Sequence, residues 1–408
     1  MQQTDFGETP LINLPKDAEK YALRGVSANK TDVHDAIKDL DKGIYPLAFC
    51  KILPDFVGNN RQFCNIMHAD TAGTKTSLAY LYWRETGDLS VWKGIVQDAI
   101  VMNLDDMACV GCVDNIVLSS TIGRNKNLIS GDVIKTLINA TVEFTDKMRE
   151  FGINIHLAGG ETADVGDIVR TIDVGYTAFA RMKRKALIIN DIRGGDFVVG
   201  FASYGKATYE NTYNGGMGSN GMTSARHDVL AHHYADAYPE TYDPMTPKKN
   251  IYEGHKNLTD ILNIDNENIT VGKLLLSPTR TYMPLLKKIL DITEGVGIHG
   301  IIHNTGGGQT KALKFVKNKH IVKNNMFQIP PLFELIQAQS GTNAREMYQV
   351  FNMGHRLEIY CDKYIAQNLV DIGKAFNIDA QIVGYVKNTE GGEKMTIDST
   401  LGNFNYEL

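Results

Sequence analysis

Cysteine is scarce in this chain. Five in 408 residues are too few and too scattered for a disulfide framework. No stretch approaches the ~18 uncharged apolar residues that a membrane helix needs, so no membrane partner is expected. The opening residues, Met1 to Asp17, lack a basic segment followed by an apolar one, so no secretory leader is expected either. Neither charge dominates. Lys plus Arg is 42 against 47 for Asp plus Glu, a formal net charge of -5, and a mildly acidic chain is a poor non-specific nucleic-acid binder. Repeats of fixed period and low-complexity tracts are absent as well. What remains is an ordinary globular balance, 43% hydrophobic and 22% charged. It excludes long disorder, collagen-like repeats and coiled coil as the main architecture. At roughly 100–200 residues per domain the length predicts two or three domains. A cytoplasmic enzyme of bacterial type is the expected class.

The pattern along the chain predicts two consecutive α/β domains. After a polar N-terminal stretch with a helical piece at Lys30–Leu40, Gln62–Asp70 reads as a strand. Ser77–Glu85 and Val91–Val110 read as helices, the second with one apolar face. Asn115–Ser120 reads as a strand. Ser130 caps a helix reaching Phe151, with Asp132 in its first turn. Ile153–Leu157 is a short strand expected to end in a turn at Gly159-Gly160-Glu161, and Ile168–Ala178 is β-rich. The basic cluster Arg181–Lys185 is read as a solvated connector, which divides the chain into 1–182 and 183–408. The second half predicts strands at Asp196–Ala202, Ile298–His303, Leu357–Cys361 and Gln381–Lys387. Helices are expected at Arg280–Leu290, after the Gly turn, and at Tyr364–Phe376. A Gly-rich irregular stretch, Lys206–Gly221, and a polar insertion to Thr270 lie between.

Four short segments could carry chemistry. In Asp70-Thr-Ala-Gly-Thr-Lys75 an acidic strand end could ligate Mg²⁺. Its turn offers amides, the Thr74 hydroxyl and the Lys75 charge to phosphate oxygens. It is not a Walker A loop, and a solvated turn is the plainer alternative. Asp105 and Asp106 interrupt an apolar helix, so a cation or a cleft there competes with a helix end turned to solvent. Asp98, seven residues earlier, could share their face. Gly159-Gly-Glu-Thr-Ala-Asp164 would let backbone approach a nucleotide, with Glu161 and Asp164 able to hold metal; a plain turn is the alternative. His303-Asn-Thr-Gly-Gly-Gly-Gln309 exposes successive amides to an anion. There His303 could be a general acid, a base, a phosphate contact, or merely hydrogen-bonded. Cys109-Val-Gly-Cys112 has no second pair for zinc and reads as two small buried residues. Together the turns and carboxylates suggest nucleotide-phosphate and Mg²⁺ chemistry without naming a substrate.

In order, these segments resemble the phosphoribosylformylglycinamidine cyclo-ligase (aminoimidazole ribonucleotide synthetase) family. Asp70–Lys75 is similar to its DGVGTK, Asp105–Met107 to its N-D-L, and Gly159–Asp164 to its GGETAE. Ser219–Gly221 matches SNG, Leu275–Tyr282 resembles LLxPTRIY, and His303–Gly308 resembles AHxTGGG. Glu346–Gly354 is similar to EMxxxFNxG, and Ile382–Lys387 to the closing strand. The resemblance implies an N-terminal domain that forms a β-barrel, flanked by helices, with its copy in a homodimer. It implies a C-terminal α/β domain with a ferredoxin-like core, and ATP and Mg²⁺ between the two. The implied reaction is ATP-dependent ring closure of formylglycinamidine ribonucleotide in purine biosynthesis. Carried over by motif, Asp70, Asp106 and Glu161 hold Mg²⁺–ATP, and Thr74 and Lys75 contact phosphate or order their turn. Gly159 and Gly160 approach the nucleotide, Gly306, Gly307 and Gly308 with His303 face a phosphate, and Asn220 lines the substrate side. Asp106 and His303 are the implied catalytic pair.

The chain departs from the family pattern near the lid and substrate. The Gly-rich N-terminal loop is here Asp41–Ala48 with one glycine, and GPHSNG is Gly216–Gly221 without its His. ENxPR is replaced by Gln309–Leu313, and the V-G after Gly354 by His355-Arg356. A small-molecule kinase such as thiamine-monophosphate kinase and a non-catalytic nucleotide-binding paralogue are therefore the alternatives.

Overall fold

The structure is a computed structural model that describes residues 22–26 and 31–408. The leader reading of the first residues, and Lys30 of the first expected helix, lie outside the described residues. The first half contains α1 (Thr31–Ile37), β1 (Ile52–Pro54), β2 (Phe63–Thr71), α2 (Lys75–Thr86) and α3 (Val91–Ala108). It continues with β3 (Ile116–Arg124), α4 (Gly131–Glu150), β4 (Ile155–Asp164) and β5 (Ile172–Lys183). Its strands form one sheet in the order β1-β2-β5-β3-β4.

Cys64 and Ile66 of β2 point to the helix face and are fully buried, whereas the neighbouring Met67 points the other way and is 61% exposed. That is the period-two alternation of a sheet covered on one side. Helix α4 presents Val133, Leu137, Ala140, Phe144 and Met148 to the core at helical spacing. Ser130 stands at its N-cap, but the hydroxyl makes no cap bond. Helix α3 departs from the one-faced expectation and is buried nearly all round. The first sheet lies on one side of it and the second half of the chain on the other, so both sides need apolar residues.

Two further expectations are corrected. The strand predicted to stop at Gly159 runs on to Asp164. Gly159 and Gly160 lie inside it, where the register shifts against Leu118–Ser120 of β3. A Cβ on Gly160 would sit 2.1 Å from the Ser120 Oγ, so the glycine serves close strand approach rather than a turn. The basic cluster is not simply a solvated connector. Arg181 belongs to β5, donates to Asp55 at 2.9–3.1 Å, and stacks its guanidinium 3.8 Å from the Phe63 ring centre.

The second half opens with β6 (Phe197–Ala202), an irregular stretch and α5 (Met222–Val229). The hairpin β7 (Ile261–Ile264) and β8 (Glu267–Thr270) follows, and then α6 (Met283–Thr293) and β9 (Ile298–His303). Next come β10 (Lys319–Lys323), α7 (Pro331–Ser340), α8 (Ala344–Val350), β11 (His355–Cys361), α9 (Lys363–Ala375) and β12 (Ala380–Asn388). The sequence reading ends at Lys387, but β13 (Lys394–Ser399) and β14 (Gly402–Glu407) add a hairpin at the sheet edge. The sheet order is β14-β13-β10-β12-β6-β11-β9. The helix expected after the Gly turn is a 3₁₀ segment, Gly308–Phe315. The insertion packs back on the first half. Thr223 at the start of α5 bonds Thr74 at 2.7 Å, and the buried Arg24 donates to Asp228 at 2.7 Å and to the Asn250 carbonyl at 3.1 Å.

Candidate active site

The two halves are joined at the segment Ser277–Tyr282, and α3 supplies the attachment. Residues seven apart share a helix face, and Asp98 and Asp105 both point at this segment. Asp98 accepts from the Thr279 amide at 2.7 Å and its hydroxyl at 2.6 Å. Asp105 accepts from the Thr281 hydroxyl at 2.7 Å and the Tyr282 amide at 2.9 Å, where α6 begins. Gly94 lets the segment pass close to α3, since a Cβ there would lie 3.1 Å from Pro278. Burial pushes the Asp105 carboxyl up to about 7 against the pull of the Arg356 charge and these two donors. Asp105 thus meets protein donors rather than a cation.

Asp106 is turned about 100° further round the helix and faces the site. Its Oδ1 accepts from His303 Nδ1 at 2.7 Å, and its Oδ2 lies 3.4 Å from His68 Nε2. Burial raises its pKa, but the Lys311 charge and the two histidines outweigh that and hold it well below the usual carboxylate range. His68 is drawn the other way. Burial lowers its pKa, whereas the Asp106 carboxylate, the Asn103 amide oxygen and the Asp70 charge raise it, and the net direction is up. The result is a carboxylate kept ionised among cationic groups at the boundary of the two sheets.

His303 ends β9 and is fully buried. Read from the sequence as acid, base or phosphate contact, it has both ring nitrogens engaged within the protein. Nδ1 serves Asp106, and Nε2 accepts from Arg356 Nε at 2.9 Å. Burial is the main cause that lowers its pKa to about 4, so near neutral pH the ring is uncharged with its proton on Nδ1. In this arrangement it orients Asp106. The Gly turn follows directly. Gly307 and Gly308 have φ of +95° and +51°, and a Cβ on Gly308 would meet two carbonyl oxygens at 2.6 Å, so only glycine fits. The Asn220 side chain reaches this turn, with Nδ2 3.6 Å from where a Cβ on Gly306 would stand. The Gly216–Gly221 loop and the Gly306–Gly308 turn thus adjoin.

The remaining expected residues lie elsewhere. Lys75 is fully buried at the start of α2. Its ammonium donates to Asp98 at 2.9 Å and to the Ser277 carbonyl at 2.6 Å, which places it in the seam. Thr74 bonds Thr223 and so orders its own turn against the insertion. Gly159 and Gly160 line a cavity of about 230 Å³ between the sheet and α4, together with Leu118, Ile138 and Tyr176.

Asp70 is exposed two residues beyond His68, on the same face of β2. Glu161 is opposite Thr121 on β4, three strands from β2, at roughly 4.8 Å per strand. It shares the outward face with Thr121, whereas Asp70 pairs with the inward Tyr176. The expected convergence of Asp70, Asp106 and Glu161 on one cation is therefore not met within a single chain, and the three do not fit one shared Mg²⁺. Among the described residues the metal-type group that is close enough to share an ion is Asp196, His299 and Asp362. There Arg193 already sits 3.3 Å from His299 Nε2.

Sequence reasoning missed His68, Lys311 and Arg356. His68 could have been found as the residue two before Asp70 on an alternating strand. Lys311 and Arg356 stand where the family motifs are broken, so the signal was the departure itself. The two residues directly after the N-terminal loop that lacks the usual glycines pack beside the site. Phe49 stacks on Phe315 with ring centres 4.8 Å apart, and the Cys50 thiol donates to the Asp106 carbonyl at 3.1 Å.

Comparison with known proteins bears on the fold and the family. The phosphoribosylformylglycinamidine cyclo-ligase of Methanocaldococcus jannaschii is 27% identical over 297 residues, 71% of this chain and 70% of the relative. That of Caldicellulosiruptor saccharolyticus is 26% identical over 343 residues, 82% of this chain and 84% of the relative. Among solved structures, the HypE-HypF complex superposes with a TM-score of 0.55 at 12% identity, covering 92% of this chain and 98% of the other. AaThiL complexed with AMPPCP and TMP gives 0.51 at 11% identity, covering 92% and 96%. These likenesses show a shared mixed α/β two-domain fold. The family models described as AIR synthase related protein match residues 57–182 with the N-terminal domain and 194–396 with the C-terminal domain. The chain therefore belongs to the AIR synthase related family.

Proposed function

We propose that this protein is an ATP-dependent cyclo-ligase that closes formylglycinamidine ribonucleotide to aminoimidazole ribonucleotide, releasing ADP and phosphate. The observation that carries the reading is the joint between the halves: Asp106 of α3 on His303 of β9, directly before the Gly306–Gly308 turn. Relatives at about 26% identity that bear the cyclo-ligase name support the substrate. An amide-type carbonyl is a poor electrophile, so ATP first phosphorylates the formyl oxygen. The amidine nitrogen that bears the ribose then attacks the formyl carbon, and the new C–N bond forms as phosphate leaves. The chain's part is positioning and charge neutralisation. The Gly306 and Gly307 amides face a phosphate, whereas the Gly308 amide closes the turn on the Thr305 carbonyl at 2.9 Å; Asn220 lines the substrate side, and Lys311 and His68 offset negative charge beside Asp106. His303 holds the Asp106 carboxylate in place.

The finer expectations stand as parts of this proposal. The proposed boundaries, 1–182 and 183–408, fall one residue before β5 ends at Lys183, close to the junction of the two sheets. The order β12-β6-β11-β9, with α6 and α9 as crossovers, supports a ferredoxin-like core. A homodimer that closes two first sheets into a barrel would cover the outward face, where Met67 and Val117 are 61% and 37% exposed. Glu161 lies on that face, so its metal role alongside Asp70 and Asp106 requires the second copy. The proposed place of action is the cytoplasm.

The test is direct. Purified protein supplied with ATP, Mg²⁺ and formylglycinamidine ribonucleotide should yield aminoimidazole ribonucleotide, ADP and phosphate. Absence of product at high enzyme concentration refutes the reading. The fold shared with AaThiL, which is complexed with AMPPCP and TMP, favours a kinase as the second reading. Phosphorylation of thiamine monophosphate in the same assay would select it.

A further inference from the structure

The Arg356 guanidinium is buried at the centre of the site, with only 2% of the residue exposed. Two of its three nitrogens are engaged. Nε donates to His303 Nε2 at 2.9 Å, and Nη2 donates to the Arg280 carbonyl. Nη1 has no hydrogen-bond partner among the described residues. A charged donor left unpaired in the interior is costly, and buried orphans of this kind call for a ligand. Nη1 points at the Gly216–Gly221 loop: a Cβ on Gly218 would lie 3.2 Å from it. The next residue, Ser219, carries a second orphan, since its Oγ is buried without a partner. Asn220 leads from there to the Gly306–Gly308 turn. Glycines with positive φ stand at 216, 218 and 221 of this loop.

We infer that Arg356 Nη1 and the Ser219 hydroxyl form an oxyanion subsite beneath the Gly216–Gly221 loop, which takes the phosphate of the phosphoester substrate. The nearby charges agree. Arg356 and Lys311 are cationic, and Asp106, the carboxylate beside them, is already shared by two histidines. The available donors also favour phosphate over a carboxylate. With Nε and Nη2 committed, the guanidinium cannot offer a two-pronged fork. A tetrahedral oxyanion can collect single donors from Arg356, Ser219 and the Gly306 and Gly307 amides, the Gly308 amide being held by the Thr305 carbonyl. That the phosphate belongs to the substrate rests on the cyclo-ligase reading; the subsite itself does not.

The experiment measures binding without turnover. Inorganic phosphate and ribose 5-phosphate are titrated into the full-length protein by calorimetry, with Mg–ADP as a separate titrant. Arg356→Met should weaken both phosphates by about ten- to a hundredfold, the value of one charge-assisted hydrogen bond, and weaken Mg–ADP much less, because Arg356 reaches the nucleotide side only through His303. Arg356→Lys, which keeps charge but not geometry, should fall between. If Arg356→Met does not fold, Ser219→Ala decides, because it truncates one hydroxyl on a half-buried loop and should weaken phosphate several-fold. Equal phosphate affinity in wild type and variants, no phosphate binding by wild type, or equal loss of phosphate and Mg–ADP would each overturn the subsite. Failure of the cyclo-ligase reading appears separately, as absence of product in the turnover assay.

Discussion

Replacing Lys75 by methionine separates a structural lysine from a phosphate-binding one. The ammonium and the Asp98 carboxylate are both fully buried and lie 2.9 Å apart. Asp98 keeps two donors from Thr279, but its Oδ2 has no partner among the described residues. Removing the cation strands a buried negative charge, and breaking such a pair costs about 3–5 kcal/mol. At about 2–4 °C per kcal/mol for a domain of 150–250 residues, Tm should fall by roughly 6–20 °C. Asp98→Asn in the Lys75→Met background removes the stranded charge while keeping an acceptor for Thr279, and should recover part of the loss. That positive coupling is the mark of a direct pair. Thermal melts of the four proteins give the cycle, and calorimetry with Mg–ATP gives affinity, which should change little in the single variant if it is folded. A Lys75→Met protein whose Tm moves by less than about 2 °C but which no longer binds nucleotide would refute this reasoning and place the ammonium on a phosphate.

Other expectations follow from the same geometry. The Asp105 pKa is raised to about 7, chiefly by burial, so the folded state prefers the acid form and loses stability as pH rises from about 4 to 7. The His303 pKa is lowered to about 4, chiefly by burial, so its contribution is lost in the opposite sense, as pH falls from about 6.5 toward 4. The two offset one another. Asp105→Asn removes the first, so denaturation midpoints should drop more steeply on acidification below pH 6.5 than in wild type; parallel curves would contradict this. Gly160→Ala places a Cβ 2.4 Å from the Ser120 carbonyl oxygen and should cost about 1–3 kcal/mol through backbone displacement, read as a lower melting temperature. Met67→Glu puts charge on the outward sheet face and tests the proposed homodimer: light scattering should report a smaller particle than wild type, with little change in the secondary-structure spectrum.

The fold was legible wherever one side of an element meets the core. Strand β9 was predicted with the bounds it has, because Ile298, Ile301 and Ile302 stand between glycine-rich turns. Helix α4 was found from its stripe and flanks. Expectation failed where contact comes from distant sequence. Gly159-Gly160 reads as a turn in isolation, but β3 needs those glycines inside a strand. Helix α3 reads as one-faced because apolar residues on its second side became meaningful only when the Ser277–Tyr282 segment was seen against them. Lys75 carries the composition of a phosphate contact, and its buried partner is 23 residues away.

The sequence by itself determined the order of elements, the two-part organisation and the segments that carry the family likeness, because these depend on local periodicity and on short motifs. Only the tertiary structure decided which carboxylate is a fastener and which faces the site. Asp105 and Asp106 are neighbours in the chain, but helical rotation sends one to the amide of Tyr282 and the other to His303 and His68. Strand alternation likewise sends Asp70 and Glu161 to opposite faces of one sheet. A side chain's chemistry is fixed by its covalent structure, whereas its charge state and role are fixed by the groups that folding brings against it.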